Sequence, residues 1–369
     1  TDGNGCQNTS APTTITVNAL PTATITPSGP TTFCAGGSVN LASSTGNSYL
    51  WSNASTGISI TNITTSGTYT VTVTDGNGCQ NTSAPTTITV NALPTATITP
   101  SGPTTFCTGG SVNLTSSTGN SYLWSNASIG ISITNITASG TYTVTVTDGN
   151  GCQNTSAPIT ITVNALPTAT ITQSGPTTFC AGGSVNLTSS TGNSYLWSNA
   201  STSSSITNIT TSGTYTVTVT DGNGCQNTSA PTTITVNALP VANINASGPL
   251  TFCAGNSVTL TGTGGTSYVW SNTATAASTT VNSSGTYTVT VTDGNGCQNT
   301  ASRIVTVNSL PIANITASGP LTFCAGNSVN LTASNAVSYL WSNGATTNTI
   351  SNITNSGTFS VTITDANGC

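Results

Sequence analysis

Thr141-Tyr142-Thr143-Val144-Thr145-Val146-Thr147 is followed at once by Asp148-Gly149-Asn150-Gly151-Cys152. Tyr142, Val144 and Val146 point one way and four Thr the other, the period-two pattern of a half-buried strand. Asp-Gly and Asn-Gly in the next four residues signal a tight hairpin. Thr160-Ile161-Thr162-Val163-Asn164 reads as the returning strand. Upstream, Thr95–Thr99, Ser111–Thr115, Ser121–Ser125 and Ile131–Ile136 also alternate, with Pro100-Ser101-Gly102-Pro103 breaking the first of them off. Six or seven short strands, a Trp on the third and a Tyr opening the strand before the hairpin, predict an immunoglobulin-like β-sandwich.

The pattern repeats. Thr-Asp-Gly-Asn-Gly-Cys-Gln-Asn-Thr begins at positions 1, 74, 147, 220 and 292, and Thr364-Asp365-Ala366-Asn367-Gly368-Cys369 is a variant. The first three intervals are equal, and the last two are each one residue shorter. Solenoid units are shorter still and cannot stand alone; a unit of this length with its own turns and core positions reads as a small domain. The expected organisation is all-β: a tandem array of Ig-like β-sandwich domains, about 73 residues per repeat, as an extended rod or filament. Residues 1–20 read as the last strand of a preceding repeat. The five repeats then follow as 21–93, 94–166, 167–239, 240–310 and 311–369, the fifth without its last strand. With strands of this length plus loops, five units would make a rod of about 180 Å.

All twenty aromatics obey the repeat. Trp51, Trp124, Trp197, Trp270 and Trp341 are expected core residues, as are Tyr69, Tyr142, Tyr215, Tyr287 and Phe359 after Ser-Gly-Thr. Five Phe precede a Cys, and one Tyr stands two residues before each Trp, as Tyr49 does. No repeat has a private aromatic that would mark a unique binding site.

Charge is nearly absent: one Arg and six Asp, with no His. A soluble domain usually draws about a quarter of its residues from the charged types. Without a basic patch the chain cannot neutralise phosphates, which excludes nucleic acid as a partner. Without His, Lys or Glu most acid–base pairs and nucleophile activators are missing, so no catalytic residue, no enzymatic activity and no cofactor are expected. No apolar run approaches the ~20 residues of a membrane span. The single Asp of each hairpin, as in Asp75, is too few oxygens for calcium and suits turn formation. Arg303 is expected at a surface or edge position. Asn-x-Ser/Thr at Asn62, Asn135 and Asn208 follows from composition and is no evidence of glycosylation. Rows such as Thr70, Thr72 and Thr74 resemble ice-binding surfaces, but twisted sandwich sheets are poor flat templates, and ice binding ranks last among the functions.

The eleven cysteines are Cys6, Cys34, Cys79, Cys107, Cys152, Cys180, Cys225, Cys253, Cys297, Cys324 and Cys369, at alternating short and long spacings. No close Cys-x-x-Cys pair accompanies them, so disulfides in an oxidising compartment are expected and metal is not. So small a core needs such staples. Pairing within repeats gives Cys34–Cys79, Cys107–Cys152, Cys180–Cys225, Cys253–Cys297 and Cys324–Cys369, with Cys6 left for a partner elsewhere. Pairing between neighbours gives Cys34–Cys152, Cys107–Cys225, Cys180–Cys297 and Cys253–Cys369. Shorter separations weigh towards the first; in an Ig sandwich, the parallel run of the second strand and the strand before the hairpin weighs towards the other. A bridge such as Cys79–Cys107 would span a strand, a linker and the next strand, too far in an extended array.

Phe-Cys-Ala-Gly-Gly-Ser-Val-Asn-Leu, then Tyr-Leu-Trp-Ser-Asn, then Ser-Gly-Thr-Tyr-Thr-Val-Thr-Val-Thr-Asp-Gly-Asn-Gly-Cys resembles the Ig-like and PKD-like repeats of very large Bacteroidetes-type surface proteins. The nearest kind is associated with gliding-motility adhesins and type IX secretion. The resemblance covers the whole chain, although the cysteines stand at strand ends rather than mid-strand as in antibody domains. It implies an extracellular or cell-surface protein, the stalk of an adhesin or a filament in its own right. Its partners would be further copies of the same repeat, in the same or neighbouring chains, and a surface or glycan ligand at a tip. A multivalent glycan-binding module is the alternative, with Tyr49 and its equivalents as the platform.

Overall fold

The computed structural model describes residues Thr1–Cys369 and contains strands and turns but no helix. It divides into two compact units, Thr1–Leu166 with Asn223–Cys225, and Pro167–Gly222 with Gln226–Cys369.

Repeat 1 shows the plan. Its strands are β1 (Ile25–Pro27), β2 (Thr32–Cys34), β3 (Val39–Ser43), β4 (Ser48–Trp51), β5 (Ser59–Ile63), β6 (Gly67–Tyr69), β7 (Val71–Thr74), β8 (Gln80–Thr82) and β9 (Thr86–Asn91). One sheet has the antiparallel order β1-β3-β5. The other is made of β4-β7-β8 and β2-β9-β6. Strand β2 runs parallel to β9, with Thr32, Phe33 and Cys34 opposite Thr89, Val90 and Asn91. Two facing sheets with these pairings, closed over a Trp, are the Ig-like sandwich, and the chain is a tandem array of them.

Each core is built from the alternating positions. In repeat 1, Val39, Leu41, Trp51, Ile60, Ile63, Val71, Val73 and Ile88 are buried, with Phe33, Tyr49 and Tyr69 packed against them. Repeats 2, 3 and 4 bury an equivalent set around Trp124, Trp197 and Trp270. Repeat 5 is smaller: Leu331, Ala333, Trp341, Ile350 and Ile363 are buried, with Phe359 beside them. A buried indole N–H needs a partner. Trp51 Nε1 donates to the Gly57 carbonyl at 2.8 Å, and Trp197, Trp270 and Trp341 donate to the carbonyls of Ser203, Ala276 and Thr347. A backbone acceptor six residues on lets the side chain there vary freely.

The two shortened intervals are two missing bulges. In repeat 1 the pairing of β3 with β5 jumps from Val39↔Ile63 to Leu41↔Ile60. The extra residue, Asn62, has φ 55°, a left-handed conformation that Asn tolerates. Its amide donates to Asn40 Oδ1 at 2.8 Å. The same pair recurs as Asn113/Asn135, Asn186/Asn208 and Asn330/Asn352. Repeat 4 lacks the residue: Val258, Thr259 and Leu260 face Val281, Thr280 and Thr279 without a jump, and Thr259 replaces the Asn. A second bulge lies between β8 and β9, where Ser83-Ala84-Pro85 stands opposite Thr70-Val71. Proline cannot donate to a ladder, so β6 and β7 are separate strands. Repeat 4 has only Ala301-Ser302 there, and Gly285–Thr292 and Gln298–Asn308 run unbroken in one four-stranded sheet.

Residues 1–20, expected as the last strand of a preceding repeat, contain no strand and are almost wholly exposed, Ile15 and Val17 in particular. Thr13–Asn18 has the sequence of Thr86–Asn91, which is a strand because β2 and β6 flank it. No such partners flank residues 7–20. Repeat 5 contains strands Ile315–Ala317, Val329–Ala333, Ser338–Trp341, Thr349–Ile353 and Val361–Thr364 and no counterpart of β9.

Candidate functional site: the disulfide junction

Four disulfides join successive repeats: Cys34–Cys152, Cys107–Cys225, Cys180–Cys297 and Cys253–Cys369, with Cα–Cα distances of 5.5–5.6 Å. Pairing within repeats is thereby corrected. Cys34 lies beside Asn91, the last residue of β9, whereas Cys79 immediately precedes Gln80, the first residue of β8. The two thus stand at opposite ends of one edge of the sandwich, on the order of 35–40 Å apart along the strand, while bridged Cα atoms must lie within about 7 Å. Cys79 and Cys324, expected to be bridged, carry no disulfide, and neither does Cys6. In the neighbour-to-neighbour scheme Cys79 would pair with a cysteine one repeat before Cys34, Cys6 with one two repeats before it, and Cys324 with one a repeat after Cys369, none of which the sequence includes.

The junction of repeats 1 and 2 is held from several sides. The parallel pairing of β2 with β9 places Cys34 at the exit of its repeat, and Ala35 N donates to the Asn91 carbonyl at 2.8 Å. The backbone crosses through Ala92-Leu93-Pro94. From the other side comes the hairpin of repeat 2. Asp148 Oδ1 accepts from the amides of Asn150 and Cys152, both at 2.9 Å, and Asp148 N donates to the Cys152 carbonyl. Gly151, at φ 80°, supplies the left-handed turn position. Asn154, two residues past Cys152, donates from Nδ2 to the Pro94 carbonyl at 2.9 Å. So backbone and disulfide both cross here, the hydrogen bonds fix the chain on either side of the crossing, and Cys152 is fully buried. In the second unit, Cys180–Cys297 is framed alike: Ala181 N donates to Asn237 O, and Asn299 Nδ2 to Pro240 O.

The repeated Asp is a turn residue. In Asp2, Asp75, Asp148, Asp293 and Asp365 alike, Oδ1 accepts two amides of its own hairpin. Arg303 is exposed, and its Nε donates to the Ile244 carbonyl at 3.3 Å. Tyr49 is a poor platform for a sugar ring: it packs against the core, and its hydroxyl donates to Gly46 O and accepts from Gly46 N. Tyr122 and Tyr195 repeat this arrangement. No helix is long and apolar enough to cross a membrane, which says nothing of a β-barrel.

Strand β2 and both bulges escaped sequence reasoning. Thr-Phe-Cys after a Pro alternates in polarity but is only three residues long. The bulges were visible as spacing: the two shorter intervals each mark one lost residue.

No family model matches the chain, and no curated protein matches it. Solved structures do. One is a "Ca2+-stabilized adhesin" that "helps an Antarctic bacterium reach out and bind ice", at 17% identity over 79% of this chain and 100% of that one, TM-score 0.27. Another is the D1–D4 ectodomain fragment of ICAM-5, at 13% identity over 79% and 100%, TM-score 0.35. A third is the N-terminal eight Ig domains of a Down syndrome cell adhesion molecule isoform, at 14% identity over 87% and 61%, TM-score 0.22. Strand order and the buried Trp carry the Ig-like fold independently of these likenesses.

Proposed function

We propose that this chain is a structural extracellular protein, the stalk of a bacterial surface adhesin or a surface filament built of further copies of the same repeat. The observation that carries this reading is the series of disulfides from each repeat to the next. Bridging each repeat to the next removes a hinge at every junction, which suits a load-bearing array. Disulfides also fit an oxidising, extracellular setting. The surface between junctions is mainly Thr, Ser and Asn with scattered aliphatics such as Leu50 and Leu123, with no private aromatic in any repeat and each Tyr before a Trp packed on its core. Small-angle scattering of the oxidised chain tests the stalk role. An elongated particle with a maximum dimension of about 180 Å is expected from strand lengths; a compact globule contradicts it.

A further inference from the structure

The bridges interlock. Cys34 is bonded to Cys152; backbone leads from there to Cys180, which is bonded to Cys297; backbone leads on to Cys324. A second line starts at Cys79: backbone to Cys107, a bridge to Cys225, backbone to Cys253, a bridge to Cys369. The two lines share no residue. Each backbone piece is the same segment, running from the hairpin cysteine through the last strand, the linker and the first two strands of the next repeat. The piece Cys79–Cys107, for example, contains β8, β9, Ile98–Pro100 and Thr105–Cys107. The stretches between them, such as Cys107–Cys152, contain the Trp strand and most of the core. They hang on both lines as rungs.

We infer that these bridges make the chain a length-limited tether with two covalent rails, in which loss of one internal bridge does not lengthen the tether. This rests on the load-bearing role proposed above. The route of least length from Thr1 to Cys369 runs Thr1 to Cys34, across to Cys152, on to Cys180, across to Cys297, back to Cys253, and across to Cys369. Its backbone parts are 33, 28 and 44 steps, 105 together, with three bridges between them. At about 3.5 Å per extended residue, the oxidised chain cannot be drawn beyond roughly 390 Å even with every repeat unfolded. Reduced, its 368 steps reach roughly 1,300 Å. If Cys180–Cys297 is removed, a route through Cys152, Cys107, Cys225 and Cys253 takes over at 106 steps. Tension then passes to the other rail through a rung. Bridges arranged in series could not do this, because each one lost would release its own loop.

Single-molecule stretching between handles at Thr1 and Cys369 tests it, with the full chain in three forms: oxidised, reduced in place, and the double variant Cys180→Ser/Cys297→Ser kept oxidised. The expected limit is roughly 390 Å for the first form, about threefold more for the second, and unchanged for the variant. A variant that extends well beyond the parent, by the length of a released loop, overturns the two-rail account, as does an oxidised parent that runs out towards the reduced length. The limits are read on unfolded repeats and depend only on which bridges are closed, so Cys34–Cys152, Cys107–Cys225 and Cys253–Cys369 are verified in the variant by non-reducing peptide mapping before it is stretched. The scattering measurement on the folded chain is independent, so the tether can fail while the stalk stands, and the reverse.

Discussion

Severing the bridge between repeats 1 and 2, by Cys34→Ser with Cys152→Ser, should weaken those two repeats and leave the others alone. The magnitude follows from where the bridge sits. Cys34 lies against Asn91, so when repeat 2 unfolds beside a folded repeat 1, its Cys152 stays pinned at the foot of its own linker. The unfolded chain is thereby closed into a loop from Asn91 to Cys152. For a loop of roughly 60 residues, the entropy removed stabilises the folded repeat by about 4 kcal/mol. Unfolding of repeat 1 beside a folded repeat 2 closes a loop of similar size, Cys34 to Pro94. Hydrogen exchange read by mass spectrometry resolves the repeats, because Leu123–Ile136 contains Ile129 and differs from its counterparts. In the variant, core amides of that peptide should exchange about a thousandfold faster than in the oxidised parent, a loss of about 4 kcal/mol if they exchange through unfolding of the repeat. Tyr268–Val281 in repeat 4 should be unaffected. Acceleration below about tenfold in repeat 2, or equal acceleration in repeat 4, would refute the loop-closure reasoning.

Other substitutions test the repeat from within. The hydroxyl of Ser116 is buried without a hydrogen-bond partner, as are those of Ser43 and Ser189, and Gly262 and Ala333 occupy the position in repeats 4 and 5. Ser116→Ala should therefore stabilise repeat 2, by about 1 kcal/mol, measured as slower exchange of the same peptide; destabilisation would mean the hydroxyl has a partner. Asn113→Ala removes the acceptor for the Asn135 amide in the bulge and should cost about 1 kcal/mol, whereas Thr259→Ala, at the bulge-free position in repeat 4, should cost less by denaturant titration of each variant. Trp124→Ala empties the middle of the second core and should cost about 3–5 kcal/mol, enough to unfold repeat 2 selectively and expose Leu114 and Val144 to exchange.

Much of this was legible in the sequence, because the signals are periodic and local. Tyr142, Val144 and Val146 alternate with Thr, and their burial pattern follows that alternation. One Trp per repeat marks the core, and Asp-Gly-Asn-Gly marks the turn that shows the cysteine to its neighbour. The fine architecture was not legible, because it depends on what lies alongside. Residues 7–20 carry the same β-branched run as Gln80–Leu93, yet only the latter is in a sheet, since strand formation needs flanking strands as well as propensity. The disulfide partner is likewise a matter of direction rather than distance in sequence. Cys79 is much nearer to Cys34 along the chain than Cys152 is, at a separation of 118. The parallel pairing of Cys34 with Asn91 nevertheless carries Cys34 to the exit of its repeat, where only the next hairpin can reach it. Near-absence of charge also fits the array: the carboxylates are confined to the hairpins, and the sheet faces are left to Thr, as in the Thr72–Thr82 hydroxyl contact at 2.9 Å.

Mapping of disulfide-linked peptides after non-reducing digestion bears most directly on the central claim. Repeat-spanning links are predicted: the peptide containing Cys34 joined to the one containing Cys152, and Cys180 joined to Cys297. A peptide containing Cys107 joined to one containing Cys152 would place the bridges inside the repeats and would contradict the junction and the two rails together.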